Sequence, residues 1–263
     1  MATFSLKILD KQGNVKCEDV SEELASLVFR GEYEEGDRIA VSSSEKNIHV
    51  WLQLDDAMGA SFVYLKEDAV YTIPFGEKRS NLSPKAFSGD LHYLYLRPVQ
   101  EEESGQYRNL AGNVYDQHGK VGIYPHASAN VETRGEAVFA AKNAIDGVIE
   151  NRSHGLWPYA SWGINRQDDA EITLDFGRKI ETDKIILFTR ADFPHDNWWT
   201  QVTFNFSYVT VMTARLEKSR FAHVLKFDKK QISWVKLGSL VKADDPSPFP
   251  ALTQIEVYGT VLS

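Results

Sequence analysis

The chain has 263 residues, of which 43% are hydrophobic and 25% are charged, a composition typical of a globular protein. Its formal net charge of −8 opposes a general role on nucleic acid, because phosphate binding requires clustered Lys and Arg. Cys17 is the single cysteine, which excludes an intrachain disulfide and a cysteine-rich zinc site. We therefore expect no nucleic-acid partner.

The beginning of the chain gives an expectation about its compartment. Met1 leads straight into an alternating segment, without the basic start and apolar core of a signal peptide. This predicts a cytoplasmic protein, or a secreted one if an export signal has been removed. No apolar run approaches the ~20 residues of a membrane-spanning helix, so we expect no membrane span.

Alternation of apolar and polar residues dominates the chain and indicates strands with one buried face. In chain order, the clearest alternating segments are 49–54, 91–96, 171–176, 184–188, 201–206 and 254–258. Helical signals are few: a short turn over residues 21–27, capped by Ser21, and one or two turns in the Ala-rich stretch 135–145. The sequence predicts an all-β protein.

Short strands, frequent turns and the lack of a βαβ rhythm favour sandwiches over a parallel sheet. The stretch around residues 98–113 contains three successive Glu residues and a Gly, without strand periodicity, which is typical of a linker. We predict two tandem β-sandwich (jelly-roll) domains. Residues 1–100 form the first, residues 101–112 the linker, and residues 113–263 the second.

Four segments of the second domain carry a family resemblance. They are residues 127–130, residues 140–147 with Asn-Ala-Ile-Asp-Gly at their end, Trp162, and residues 252–259 with Ile-Glu-Val-Tyr-Gly at their end. In order and spacing they resemble the discoidin or coagulation-factor type C family, which includes the lectin-like family 32 carbohydrate-binding modules of bacteria. The resemblance covers residues 113–260 and implies a galactose-binding-like jelly roll. Its variable loops bind sugars, lipid head groups or proteins.

The resemblance also implies a structural calcium ion that ties the Asp-Gly loop to the last strand. Asp146 matches the family's carboxylate ligand, and the backbone carbonyl of Asn143 matches a second ligand. Gln254 stands where the family usually has Glu, so one negative charge is lost and calcium affinity should fall. An Asx turn at Asp146 and Gly147 without a metal is the alternative, and it stays open at this point.

Two segments are rich in aromatic residues and turn formers, and we expect both to be loops at the sandwich end. Segment 153–162 carries three large aromatic residues and a histidine, and segment 190–199 adds an arginine and two aspartates. Sugars need an apolar platform for their C–H faces and fixed donors and acceptors for their hydroxyls. The candidate ligand-binding residues are His154, Trp157, Tyr159, Arg190, Asp192, His195, Asp196 and Trp198. We expect Trp162 and Trp199 to lie in the core instead.

These features predict a non-catalytic carbohydrate-binding protein that holds a sugar on the loops of its C-terminal sandwich. The alternative is a protein-interaction scaffold whose loop aromatics pack on a sister domain or across a homo-oligomer. A hydrolase is the third hypothesis, since Asp192, His195 and Asp196 supply carboxylates and a proton shuttle. Their spacing has little specificity, and the common catalytic motifs are absent from the sequence.

Overall fold

The computed structural model describes residues 2–119, 122–151, 155–191, 197–208 and 210–262, and within these ranges the protein is all-β. Its strands are β1 (Phe4–Leu9), β2 (Val15–Ser21), β3 (Ala25–Arg30), β4 (Arg38–Ser43), β5 (Ile48–Gln53), β6 (Ser61–Leu65), β7 (Ala69–Thr72), β8 (Leu91–Pro98), β9 (Arg108–Asn109), β10 (Ile123–Tyr124), β11 (His126–Ala129), β12 (Trp162–Gly163), β13 (Ile172–Thr189), β14 (Trp199–Phe206), β15 (Thr210–Arg215), β16 (His223–Lys242) and β17 (Ala251–Val261). The α-helix α1 (Glu101–Ser104) and 3-10 turns at Gly76–Arg79, Thr133–Gly135, Ala137–Phe139 and Ala141–Ile145 complete the regular structure. No helix in these ranges is long and apolar enough to cross a membrane.

Strands β1 to β8 form two antiparallel sheets, and β10 adds one further strand at the edge of the second. One has the strand order β2-β1-β4-β7 and the other β10-β6-β5-β8-β3. In β1, every second residue is buried, as the alternation of Phe4, Leu6 and Ile8 requires of a strand with one face against a core. The buried faces of the two sheets contribute to one hydrophobic cluster.

The third sheet follows the order β12-β17-β13-β16-β14-β15, with β11 also beside β13 and β9 beside β17. Its strands pair antiparallel, and β13 joins two segments that the sequence predicts as separate strands. The register between β13 and β16 shifts between Asp175 and Ile180, around Gly177. Gly177 has a φ of 66°, and a Cβ there would lie 2.5 Å from the Tyr124 ring, so glycine is required at this bend. A second hydrophobic cluster fills this part of the protein.

The segment between the two groups of sheets pairs with strands of both groups. Residues predicted as a linker contain α1 and β9, and β9 pairs with the last strand β17. Further along, Tyr115 and Ile123 pack in the first hydrophobic cluster, and β10 pairs with β6. The domain boundaries drawn from the sequence stay a prediction.

The two helical predictions have different outcomes. The helical turn expected from Ser21 is wrong, because β2 ends and β3 begins within those residues. The Ser21 hydroxyl does accept the N–H groups of Glu23 and Leu24, at 3.2 Å each, as in a cap, but it closes the connection between two strands. The Ala-rich stretch does contain helical turns, all of the 3-10 type.

Candidate functional site

Two connections, from β13 to β14 and from β16 to β17, meet at one end of the third sheet. In the sheet, the last residues of β13 lie beside the first residues of β17, and the N–H of Arg190 donates to the carbonyl of Ala251 at 2.9 Å. Just before β14, the carbonyl of Trp198 accepts the N–H of Ala243 at 2.8 Å. The segments that follow β13, precede β14 and connect β16 to β17 therefore lie together.

The Arg190 side chain joins the two segments that the sequence singled out. It is only 1% exposed, and its Nη1 donates to the carbonyl of Tyr159 at 3.0 Å. A hydrogen bond from a cation is roughly twice as strong as a neutral one. Tyr159 belongs to the first predicted ligand segment and Arg190 to the second. This hydrogen bond therefore holds the two segments next to each other.

The aromatic candidates differ in how much of their ring is accessible. Trp157 is 40% exposed, and its neighbour Leu156 is 71% exposed. Trp198 is half-buried, and the Nζ of Lys218 lies 5.2 Å from the centroid of its ring. Tyr159 is half-buried as well. Trp157 is thus the candidate with the most open platform for a ligand ring.

Four candidate residues, His154, Asp192, His195 and Asp196, lie outside the described residues. Their predicted roles in ligand binding stay predictions, and so does the hydrolase hypothesis that rests on three of them.

Two further residues belong to this end of the fold, although the sequence analysis did not select them. Asn197 is fully buried, and its Nδ2 donates to the carbonyl of Ser247 at 2.6 Å, which fastens the loop before β17. Phe249, in that loop, is 39% exposed. An aromatic residue between two prolines in a loop is a signal that could have identified Phe249 from the sequence.

Trp162 and Trp199 lie in the core, as the sequence predicts. Both are fully buried, and their ring centroids are 6.4 Å apart. The indole N–H of Trp162 donates to the carbonyl of Val131 at 2.9 Å.

The Asp-Gly loop is fixed to the last strand by a hydrogen bond. Gln254 is fully buried, and its Oε1 accepts the N–H of Gly147 at 3.2 Å. Asp146 accepts the N–H of Val148 at 2.8 Å, the contact of an Asx turn. Burial raises the pKa of Asp146 to about 7, and the nearby Lys142 charge counteracts only part of this shift.

The side chains at this loop offer calcium a single carboxylate. Asp146 is the only carboxylate among the three residues that the resemblance implies, and the Gln254 oxygen is already engaged by Gly147. The Asn143 side-chain oxygen accepts a hydrogen bond from the Nδ2 of Asn81 at 2.8 Å, whereas the resemblance implies the backbone carbonyl of Asn143 as the ligand. In the described part of the chain, no three His, Cys, Asp or Glu side chains are grouped to hold a metal. Calcium stays a prediction.

Comparison with known proteins gives matches among solved structures only. No protein-family model matches the sequence. None of the curated proteins matches it either. The structure is similar to galactose-binding-like lectin domains. The three similarities described next cover 58–60% of the chain.

Three of these solved structures represent the group. A chitosan-binding module of a chitosanase/glucanase from Paenibacillus sp. IK-5 is 18% identical, with a TM-score of 0.42, and the match covers 59% of this chain and 100% of the module. The family 32 carbohydrate-binding module of C. perfringens NanJ, in complex with galactose, is 15% identical, with a TM-score of 0.42 and coverage of 58% and 99%. A mutant lectin domain of Lectinolysin with Lewis b is 19% identical, with a TM-score of 0.44 and coverage of 60% and 99%.

We expect the substitution Gln254→Glu to make the stability of the protein depend on calcium. A second carboxylate beside Asp146 raises the charge of the oxygen donor set, and calcium affinity follows the number of charged ligands. Thermal unfolding with and without millimolar CaCl2 measures the effect. The variant should gain several degrees on calcium addition, whereas the original chain should gain almost none.

The double variant Gln254→Glu with Asp146→Asn is the control, since it keeps one carboxylate at the loop. It should lose the calcium response. An equally large calcium response in the unsubstituted chain would show that Gln254 and the backbone carbonyls suffice as ligands.

Proposed function

We propose that this protein is a non-catalytic carbohydrate-binding protein that holds a sugar on the loops at this end of the C-terminal sheet. The observation that carries the proposal is the bond from the buried Arg190 to the Tyr159 carbonyl, next to the exposed Trp157. It holds two loops rich in aromatic and polar side chains against each other. The family resemblance of the sequence motifs supports the same function.

The chemistry of Trp157, Tyr159 and Arg190 suits a sugar ligand. The indole of Trp157 offers an apolar face to the C–H side of a pyranose, and such packing needs no charge on the ligand. Arg190 acts here as a positioning residue, because its guanidinium fixes the backbone of the loop that carries Trp157. A preformed loop lowers the entropy lost on binding, which a shallow site otherwise has to overcome.

We expect Trp157→Ala to abolish most sugar binding while the fold is kept. Truncation of an exposed aromatic platform removes the stacking contact but creates no cavity in the core. A glycan array identifies a bound sugar, and calorimetric titration with that sugar should show at least a roughly tenfold loss of affinity, about 1.4 kcal/mol.

Tyr93→Ala is the matched control, because Tyr93 on β8 is 42% exposed and lies in the first group of sheets. It should bind the sugar as the original chain does. No sugar binding above background in the original chain, or equal affinity in the Trp157 variant, would contradict the proposed function.

A protein-interaction scaffold is the second candidate function, and one observation favours it. Leu156 and Trp157 are adjacent and both exposed, so together they offer an apolar surface of the kind that anchors a partner. In this function the chain forms a homo-oligomer through that surface. Gel filtration over a range of protein concentrations, with Trp157→Ala beside the original chain, separates this function from sugar binding.

We infer a layout of two tandem β-sandwiches. The support is that the buried residues fall into two hydrophobic clusters, one mainly in each group of sheets. Because Tyr115 and Ile123 pack in the first cluster, we place the boundary after β10 and not before residue 113. Limited proteolysis tests this placement: a stable N-terminal fragment should extend beyond residue 124.

A further inference from the structure

A cavity of about 240 Å³ lies beside Phe249, at the same end of the fold as the proposed sugar site. Phe139, Ile164, Phe249 and Pro250 give it an apolar lining, and Arg134 and Arg166 lie at it as well. Pockets that bind drug-sized ligands are larger, on the order of 300–1,000 Å³. This cavity therefore suits one sugar ring.

The backbone around the cavity is strained. Arg134, Asn165 and Arg166 have φ values of 53°, 48° and 62°, in the left-handed region that non-glycine residues rarely adopt. Each such residue costs about 1–2 kcal/mol, and strain of this kind clusters at functional sites. These three account for a large share of the non-glycine residues with positive φ among those described.

The loops that form the cavity are held in close contact. The hydroxyl of Thr133 accepts the N–H of Asn165 at 3.0 Å, which joins the loop around Thr133 to the loop around Asn165. A Cβ at Gly163 would lie 2.6 Å from that hydroxyl oxygen and 3.2 Å from the Cβ of Phe139. Only glycine lets the two loops approach this closely, so the cavity is built by the sequence and is not a gap between independent loops.

Arg166 brings a positive charge to the mouth of the cavity. Its guanidinium carbon lies 4.6 Å from the centroid of the Phe249 ring, and the residue is exposed. Among the described residues no carboxylate forms an ion pair with Arg166, whereas Arg134 is paired with both oxygens of Glu136. A guanidinium stacked on a ring keeps its N–H edge available for a carboxylate.

We propose that this cavity is a subsite for an acidic sugar residue, a hexuronate or a similar sugar acid. The carboxylate bonds the N–H edge of Arg166, and the ring packs its C–H face on Phe249 and Pro250. The chain as a whole carries a net charge of −8 and repels anions. An arginine that forms no ion pair within the described part of the chain is therefore what makes an acidic ligand favourable here. This inference rests on the proposed function, because the acidic subsite enlarges the proposed sugar site to include Phe249.

Calorimetric titration of the full chain with galacturonate, glucuronate, galactose and glucose tests the proposal. The uronates should bind at least roughly tenfold more tightly than the matching hexoses at low salt, and the difference should shrink at high salt. Arg166→Gln should remove the preference, so that each uronate binds no more tightly than the matching hexose. Arg30→Gln, at an exposed arginine on β3, is the control and should keep the preference.

The outcomes separate this proposal from the proposed function. Hexose binding that depends on Trp157, without a preference for uronates, would overturn the acidic subsite and leave the sugar site standing. A uronate preference that persists in Arg166→Gln would also overturn the subsite. Failure of all four sugars and of the glycan array to bind would overturn both.

Discussion

Gly259→Ala is expected to abolish cooperative folding. Gly259 lies in β17, opposite Thr182 of β13 on one side and Arg108 of β9 on the other. A Cβ at this position would lie 1.9 Å from the carbonyl oxygen of Glu181 and 2.9 Å from the Cα of Thr182. Both are backbone atoms of a paired strand, so no rotation of a side chain can relieve the collision.

The only relief is to separate β17 from β13, which breaks a ladder that extends from Ile180 to Thr189 and opens the second hydrophobic cluster. A cost of at least about 4–5 kcal/mol is expected, which is exceptional for one substitution and comparable to the whole stability of many domains. Circular dichroism and urea unfolding measure the loss. A sharp transition within a few degrees of the original chain would contradict this expectation.

Gly105→Ala is the matched control, since it adds the same methyl group where nothing lies within 4 Å. Gly105 follows α1 with a φ of −81°, a value that alanine adopts without strain. The midpoint of unfolding should change by the equivalent of less than about 0.5 kcal/mol. The contrast isolates backbone collision as the cause of the Gly259 effect.

The six alternating segments were predictable because one face of each strand they form is buried. In β8, the buried positions His92, Leu94 and Leu96 alternate with more accessible ones, and the sequence shows the same alternation. The turn at Ser21 was not predictable in this way, because a serine that caps a helix and one that closes a strand connection make the same hydrogen bonds. Pairing of β3 with β8, more than sixty residues away in sequence, decides between them.

The candidate site was predictable in composition and not in geometry. The aromatic and basic content of the two loops pointed to Trp157 and Arg190, but the sequence could not show that Arg190 is buried and bonds the other loop. The cavity at Arg166 was missed altogether. It depends on positive φ values and on the close approach at Gly163, which arise from three loops that are distant in sequence.

Acidification is expected to destabilise the protein through His49. This residue on β5 lies between the rings of Phe62 and Tyr64, with centroid distances of 5.2 and 5.1 Å. Burial, together with the positive charges of Arg178 and Arg108, lowers the pKa of His49 to about 3 from its ordinary 6.5. In the folded protein His49 therefore stays neutral in mildly acidic solution.

The unfolded chain takes up a proton on His49 below pH 6.5, and the folded chain does not until about pH 3. Between these values the unfolded state binds more protons, so the free energy of unfolding falls as the pH falls. From pH 7.5 to pH 5 the expected loss is about 2 kcal/mol, at 1.36 kcal/mol for each pH unit below 6.5. Urea unfolding at the two pH values measures it.

His49→Gln removes this titration and should recover most of the loss, so the difference between the variant and the original chain should vanish at high pH and grow on acidification. His118→Gln is the control, because the His118 side chain is 65% exposed. His49 lies on β5, whereas Arg108 and Arg178 lie on β9 and β13. The charges that oppose protonation of His49 therefore come from the other group of sheets. An equal loss in His49→Gln would assign the acid sensitivity to carboxylates elsewhere in the fold.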